Sequence, residues 1–346
     1  MDNAPLYLAI AALAAVVAVV GTQAVRRFAV AFNLADAPNE RRINTTTMPR
    51  AGGFAVALSF FLVGATITIL AAPLGLTGGT QLPSSGIAAL LFGVLLAGVI
   101  GLADDRFDLR ARWQLAGQLV IAAVPIAFGV RIAILSNPFG AGDLLIPDAI
   151  GLALTLFWSL GMQNAMNFID GLDGLSGGIS LIAAVTLGVI ALPTTPLLAA
   201  LCFVLAGALA GFLRHNFYPA SIYMGTSGIL AVAYAIAVLS LLGTAKVVAA
   251  LLILGVPIID AFFVIVGRLL AGRSPYSADK THIHQRLVDA GLSHRGAVLA
   301  LYGGTLLLSV GAVVLTASGA MYAFAGLLVV LGGAIVWLSR RAEHRA

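Results

Sequence analysis

Charge is what this sequence has least of: only 10% of its 346 residues are Asp, Glu, Lys or Arg, against roughly a quarter in an ordinary soluble domain. With 60% of positions hydrophobic and a mean hydropathy of +1.04, that scarcity excludes a soluble globular chain and leaves a polytopic membrane protein. Cysteine is nearly missing as well. Cys202 stands alone in an apolar run, so neither a disulfide framework nor a cysteine-based zinc cluster can be built, and the side chain reads as packing. The net charge of +5 would suggest nucleic acid in a soluble protein; in a membrane protein the placement of the charges matters more, and no nucleic-acid partner is expected.

Long apolar runs are what the sequence has in plenty. Segments of about 18–22 apolar residues span a bilayer core, and they fall near 5–25, 54–73, 86–103, 114–135, 149–165, 175–193, 196–213, 226–244, 247–267, 298–317 and 321–339. The expectation is an all-α integral membrane protein with about 11 transmembrane helices. The first run follows Asp2 and precedes Arg26 and Arg27, the reverse of a signal peptide's charged start, so it reads as a retained helix. Under that alternation seventeen of the nineteen basic residues fall on one side and only Arg131 and Lys246 on the other. The positive-inside rule then puts the N-terminus outside and the C-terminus in the cytoplasm. A single membrane-embedded domain, 1–346, is expected, with cytoplasmic loops near 27–53, 104–113, 164–175, 214–226 and 267–296.

The few polar groups concentrate in those loops. Asn164, Asn167, Asp170 and Asp173 recur every three residues in NAMNFIDGLDGLSGG, which on a helix gives one stripe of oxygen donors. Such hard donors suit magnesium beside phosphate, although an Asn/Asp/Gly loop also caps helices. Asp104 and Asp105 are adjacent at the inner end of the third run, with Asp108 one turn on; acids there are costly, and the pair reads as a magnesium site or a base, or else as a salt-bridged helix start. Arg41, Arg42 and Arg50 offer phosphate binding or simply a positive-inside loop. His215 reads as an interfacial histidine. Asp260, inside the ninth run, is a functional candidate or the partner of a nearby basic group. His282, His284 and Arg286 fit diphosphate binding better than zinc, the alternative being a plain surface loop. The outer loops carry almost none of this, which argues for a cytoplasmic-face site handling a charged, phosphorylated substrate. A transporter would place its polar groups at mid-depth.

Taken in order, PNERR at Pro38, PRAGG at Pro49, DDRFDL at Asp104, NAMNFIDGLDGLSGG at Asn164, NFYPASIYMG at Asn216, PIIDAFFVIVGRLLAGRSP at Pro257 and HIHQRL at His282 resemble the polyprenyl-phosphate N-acetylhexosamine-1-phosphate transferases, the family of MraY, WecA and TagO, and more closely its WecA/TagO branch. The resemblance implies transfer of an N-acetylhexosamine 1-phosphate, N-acetylglucosamine 1-phosphate above all, from a UDP-sugar to undecaprenyl or another polyprenyl phosphate at the plasma membrane, with release of UMP. It implies Mg²⁺, with Mn²⁺ as a substitute, and the bilayer as a partner; a homodimer is left open. By resemblance Asp104 and Asp105 are catalytic. Asp105, Asn167, Asp170 and Asp173 serve the metal and nucleotide site, with Thr226 at a metal-ligand position. Arg50, Asn164, Asn216, His282, His284 and Arg286 bind substrate. Three departures stand out: Thr226 where the family usually has the Asp of M-G-D, Gln285 in place of a third histidine, and Asn44 where histidine is frequent. The first motivates a competing reading, a non-catalytic lipid- or nucleotide-binding relative.

Overall fold

The computed structural model describes residues 3–29, 31, 34–36, 48–137, 142–243, 246–274 and 282–343; Arg41, Arg42, Asn44 and Lys280 lie outside them. Helices run Ala4–Phe28 (α1), Gly53–Ile69 (α2), Ser84–Phe107 (α3), Ala111–Ala127 (α4), Asp148–Ile169 (α5), Leu175–Ala191 (α6), Pro196–Asn216 (α7) and Gly225–Leu242 (α8). They continue as Lys246–Ile253 (α9), Gly255–Leu270 (α10), Ile283–Asp289 (α11), His294–Val314 (α12) and Ala317–Glu343 (α13). Two short antiparallel pairs complete the described chain: Ala35–Asp36 (β1) with Met48–Pro49 (β2), and Ile134–Ser136 (β3) with Asp143–Leu145 (β4).

The expected apolar runs are largely helical, but the ninth is divided between α9 and α10, the fourth continues past α4 into β3, and not each run is a span by length and composition. Among the described residues five helices, α1, α3, α7, α8 and α12, are long and apolar enough to cross a bilayer, and six if α9 and α10 count as one. Those two are bent by 77° across Leu254. The cause is local: Pro257 lacks the N–H that would continue the ladder back to Ile253, and it is tolerated only in the first turn of a new helix. Helices α2 and α6 are apolar but only 17 residues long.

The most enclosed helix is α8, nearly every residue of which from Ser227 to Ser240 is buried. Small residues let its neighbours close on it. A Cβ at Gly101 of α3 would lie 2.4 Å from Ser227 Cα, and one at Gly93 would enter the Tyr234 ring; Tyr234 donates its hydroxyl to the Ala89 carbonyl at 2.8 Å. Likewise Gly207 and Gly211 of α7 abut the carbonyls of Ala11 and Ala15 in α1, the small-residue contact common between membrane helices. The outward faces stay apolar: Leu8, Phe157, Leu307 and Val329 are 71–75% exposed, as hydrocarbon contact requires and water does not favour.

Candidate active site

The α3–α8 crossing determines where the paired acids go. One turn beyond Gly101, Asp104 and Asp105 meet the N-terminus of α8, where unpaired N–H groups and the helix dipole favour anions. Asp105 Oδ1 accepts the Thr226 N–H at 2.8 Å and Oδ2 the Ser227 N–H at 3.0 Å. Gly225 makes this approach feasible: its φ is +72°, and a Cβ would sit 2.6 Å from Asp105 Oδ2. Asp104 Oδ2 accepts the Thr226 hydroxyl at 2.7 Å, while Oδ1 accepts Gln114 Nε2 at 3.0 Å and the Leu109 N–H at 3.2 Å. Both acids are buried, at 7% and 2% exposure, yet every carboxylate oxygen has a donor, so burial leaves none of them unsatisfied.

The PRAGG turn locks onto the same helix start. Gly52 and Gly53 donate to the carbonyls of Tyr223 and Met224, and Tyr223 donates back to Pro49, each at 2.9 Å. Arg50 is thereby carried beside the acids; its guanidinium reaches Asp108 Oδ1 at 3.2 Å, and Asp108 is largely exposed, so the pair adds little stability.

The NAMNFIDGLDG stretch divides among separate tasks. Asn164 donates to Gln118 Oε1 at 3.2 Å and to the Leu160 carbonyl at 2.8 Å, and Asn167 is exposed. Asp170 accepts the Ser176 hydroxyl, whose oxygen lies 3.7 Å from Met224 Sδ. Asp173 Oδ2 accepts the Ala220 N–H at 3.0 Å, and its own N–H donates to His294 Nε2 at 2.9 Å. Asn216 is 4% exposed and bound entirely by backbone, taking the Gly174 N–H at 3.1 Å and giving to the Ile222 carbonyl at 3.0 Å. Its amide joins the Gly174 turn to the Ile222 segment.

The two motif histidines also differ. His282 Nδ1 lies 2.8 Å from Asp260 Oδ2, and Asp260 Oδ1 accepts the Ile283 N–H at 2.8 Å. His284 is 1% exposed, both its ring nitrogens lack partners, and a Cβ at Gly171 would come within 2.0 Å of its Nε2. Burial pushes its pKa down to about 4, the charges of His282 and His294 acting in the same sense and Asp260 opposing them. The imidazole is therefore neutral near pH 7, when one ring nitrogen still carries an N–H, and it packs against the Gly171 turn. Arg268, 4% exposed and 5.4 Å from the Phe168 ring, and His294, stacked on Tyr218, join the cluster. Neither had been singled out in the sequence, although Arg268 stands eight residues after Asp260, two turns along the same face of α10.

Whether this donor set fits magnesium is a matter of its chemistry. Among the described residues no three acidic, histidine or cysteine side chains form a ready metal cage, and Asp105, Asp170 and Asp173 stand on three separate contacts. Magnesium does not require such a cage: it is commonly held by one or two carboxylates with substrate phosphates and retained waters. The adjacent Asp104 and Asp105 therefore fit it.

Residues 87–244 match the sequence profile of glycosyl transferase family 4. The chain is 35% identical over 326 residues to a probable undecaprenyl-phosphate N-acetylglucosaminyl 1-phosphate transferase of Bacillus subtilis, covering 92% of this chain and 83% of the relative. It is 35% identical over 318 residues to the decaprenyl-phosphate N-acetylglucosaminephosphotransferase of Mycobacterium tuberculosis, with coverages of 84% and 77%. To the undecaprenyl-phosphate alpha-N-acetylglucosaminyl 1-phosphate transferase of Escherichia coli K12 it is 28% identical over 298 residues, with coverages of 82% and 77%.

Proposed function

Because this chain belongs to glycosyl transferase family 4, we propose that it transfers N-acetylglucosamine 1-phosphate from UDP-N-acetylglucosamine to a polyprenyl phosphate, at the cytoplasmic face of the plasma membrane, as an early step in building a surface polymer. The observation that carries this reading is the pair Asp104–Asp105, buried yet fully hydrogen-bonded at the start of α8, beside Arg50. An oxygen of the lipid phosphate attacks the β-phosphorus, a new P–O bond forms, and the bond to the bridging oxygen breaks with its electron pair leaving on UMP. Positioning and charge neutralisation dominate such transfers.

In this reading Asp104 and Asp105 orient the attacking phosphate, and Arg50 offsets its charge. His282 and Arg286 face the diphosphate; Asn167 and Asp170 border the nucleotide; Asn164, Asp173 and Asn216 hold the loops in place. Mg²⁺, or Mn²⁺ in its stead, would be held by Asp104 and Asp105 and would neutralise charge accumulating between the two phosphates. Thr226 serves the acids as a donor. The cytoplasmic assignment rests on the segregation of the basic residues.

The test is UMP release by purified protein in detergent with undecaprenyl phosphate, UDP-N-acetylglucosamine and a magnesium titration. Lipid- and magnesium-dependent UMP is expected, falling at least about 100-fold in Asp105→Asn. Silence across UDP-amino-sugars, with UDP still bound, would instead support a non-catalytic relative.

A further inference from the structure

His282 presents its two ring nitrogens to different surroundings. Nδ1 is 2.8 Å from the Asp260 carboxylate, which is 1% exposed and whose second oxygen takes the Ile283 N–H at 2.8 Å. The ring is held by Phe168, 5.3 Å away, and by the parallel His284 ring at 5.7 Å. Among the described residues Nε2 has no hydrogen-bond partner. With Asp260 accepting at Oδ2 as it does at Oδ1, Nδ1 is the donor of the pair and Nε2 is the nitrogen left for something outside the protein. The neighbouring imidazole cannot compete for that ligand, because both nitrogens of His284 are covered.

We infer that Asp260 is a positioning residue for the reaction: it fixes His282 as the Nδ1–H form and turns Nε2 toward the diphosphate of the sugar nucleotide. The inference rests on the reading that a UDP-sugar binds here. The carboxylate does two things at once, since its grip on Ile283 N–H also sets the start of α11 and so the height of the ring. Such outer-shell carboxylates select the tautomer of a functional histidine.

Asp260→Asn tests this sharply. Ile283 N–H still needs an acceptor, so the amide must put its oxygen there and its NH₂ against Nδ1, which forces the imidazole into the Nε2–H form. The experiment is ¹⁵N NMR of histidine-labelled full-length protein in detergent at about pH 8, where ordinary histidines are neutral, with His282 assigned by its loss in His282→Gln. Wild type should show Nδ1 protonated, with added UDP moving the Nε2 resonance. Asp260→Asn should show the inverted tautomer and kcat/KM for UDP-N-acetylglucosamine lower by at least about tenfold, and Asp260→Glu should recover most of both.

An Nε2–H tautomer in wild type overturns the proposal, as does an inverted tautomer with unchanged kcat/KM, or lost activity with the tautomer intact, which would mark a merely structural role. If Asp260→Asn does not fold, the wild-type spectrum and its UDP titration decide alone. UMP release without any UDP effect on Nε2 defeats this proposal and spares the transferase reading; a UDP effect without UMP release does the opposite.

Discussion

At the residue scale, the position with most leverage is Thr226. Its N–H serves Asp105 and its hydroxyl serves Asp104, so one residue bridges both acids as a neutral donor. Replacing it by aspartate keeps the N–H but puts a third anion where a donor stood 2.7 Å from Asp104 Oδ2. A hydrogen bond to a charged group is lost, about 1.5–3 kcal/mol, and repulsion is added. A divalent cation reverses both effects. Thr226→Asp should therefore unfold at a lower temperature than wild type in EDTA, recover more on adding Mg²⁺, and need about tenfold less Mg²⁺ for half-maximal UMP release, as ligand-linked stability requires. Thermal unfolding in detergent across a magnesium series checks this, and equal magnesium responses in the two proteins would show that position 226 does not touch the cation site.

At the element scale, the site depends on how closely α3 crosses α8. The acids at the end of α3 were legible as chemistry in the sequence, because carboxylates at the edge of an apolar run demand a reason. Their partner, 121 residues away at Thr226, was not, because periodicity describes one helix and says nothing about which helix it will cross. The same limit hid the Asp260–His282 pairing: both residues were visible in the sequence, but not that the segment after α10 brings the start of α11 back onto it. The main-chain bonds of Asn216 were hidden for a related reason, since an asparagine at a helix end looks alike in sequence whether or not it binds main chain. A Cβ at Gly101 would stand 2.4 Å from Ser227 Cα and 2.5 Å from its nitrogen, and backbone atoms cannot swing aside. Gly101→Ala should cost about 1–3 kcal/mol and lower UMP release at least tenfold by moving both acids off α8. Gly303→Ala, on an open face of α12 with nothing within 4 Å, is the control, expected to be neutral or slightly stabilising. Comparable losses in both variants would mean that glycine matters only as glycine, and not through the crossing.

At the scale of the whole molecule, the polar ends of the helices draw together what the sequence spreads over most of its length, and the collar they form is closed by loops rather than by spans. Its acid sensitivity should trace to His284, wedged between Gly171 and His282, with Asp260 of α10 and His294 of α12 as the other titratable groups bearing on it. Its pKa when folded is about 4, against the ordinary 6.5. Above pH 6.5 the folded and unfolded chains both hold it neutral, and it contributes no pH dependence. As the pH falls below that value the unfolded chain takes up a proton that the folded chain refuses, so stability declines until the folded imidazole also titrates near pH 4. Over the full window the loss amounts to roughly 3 kcal/mol. His284→Phe keeps a flat ring against Gly171 but removes the titration, so its unfolding temperature should fall less steeply than that of wild type between pH 7 and pH 4.5. Parallel declines would place the acid sensitivity outside His284.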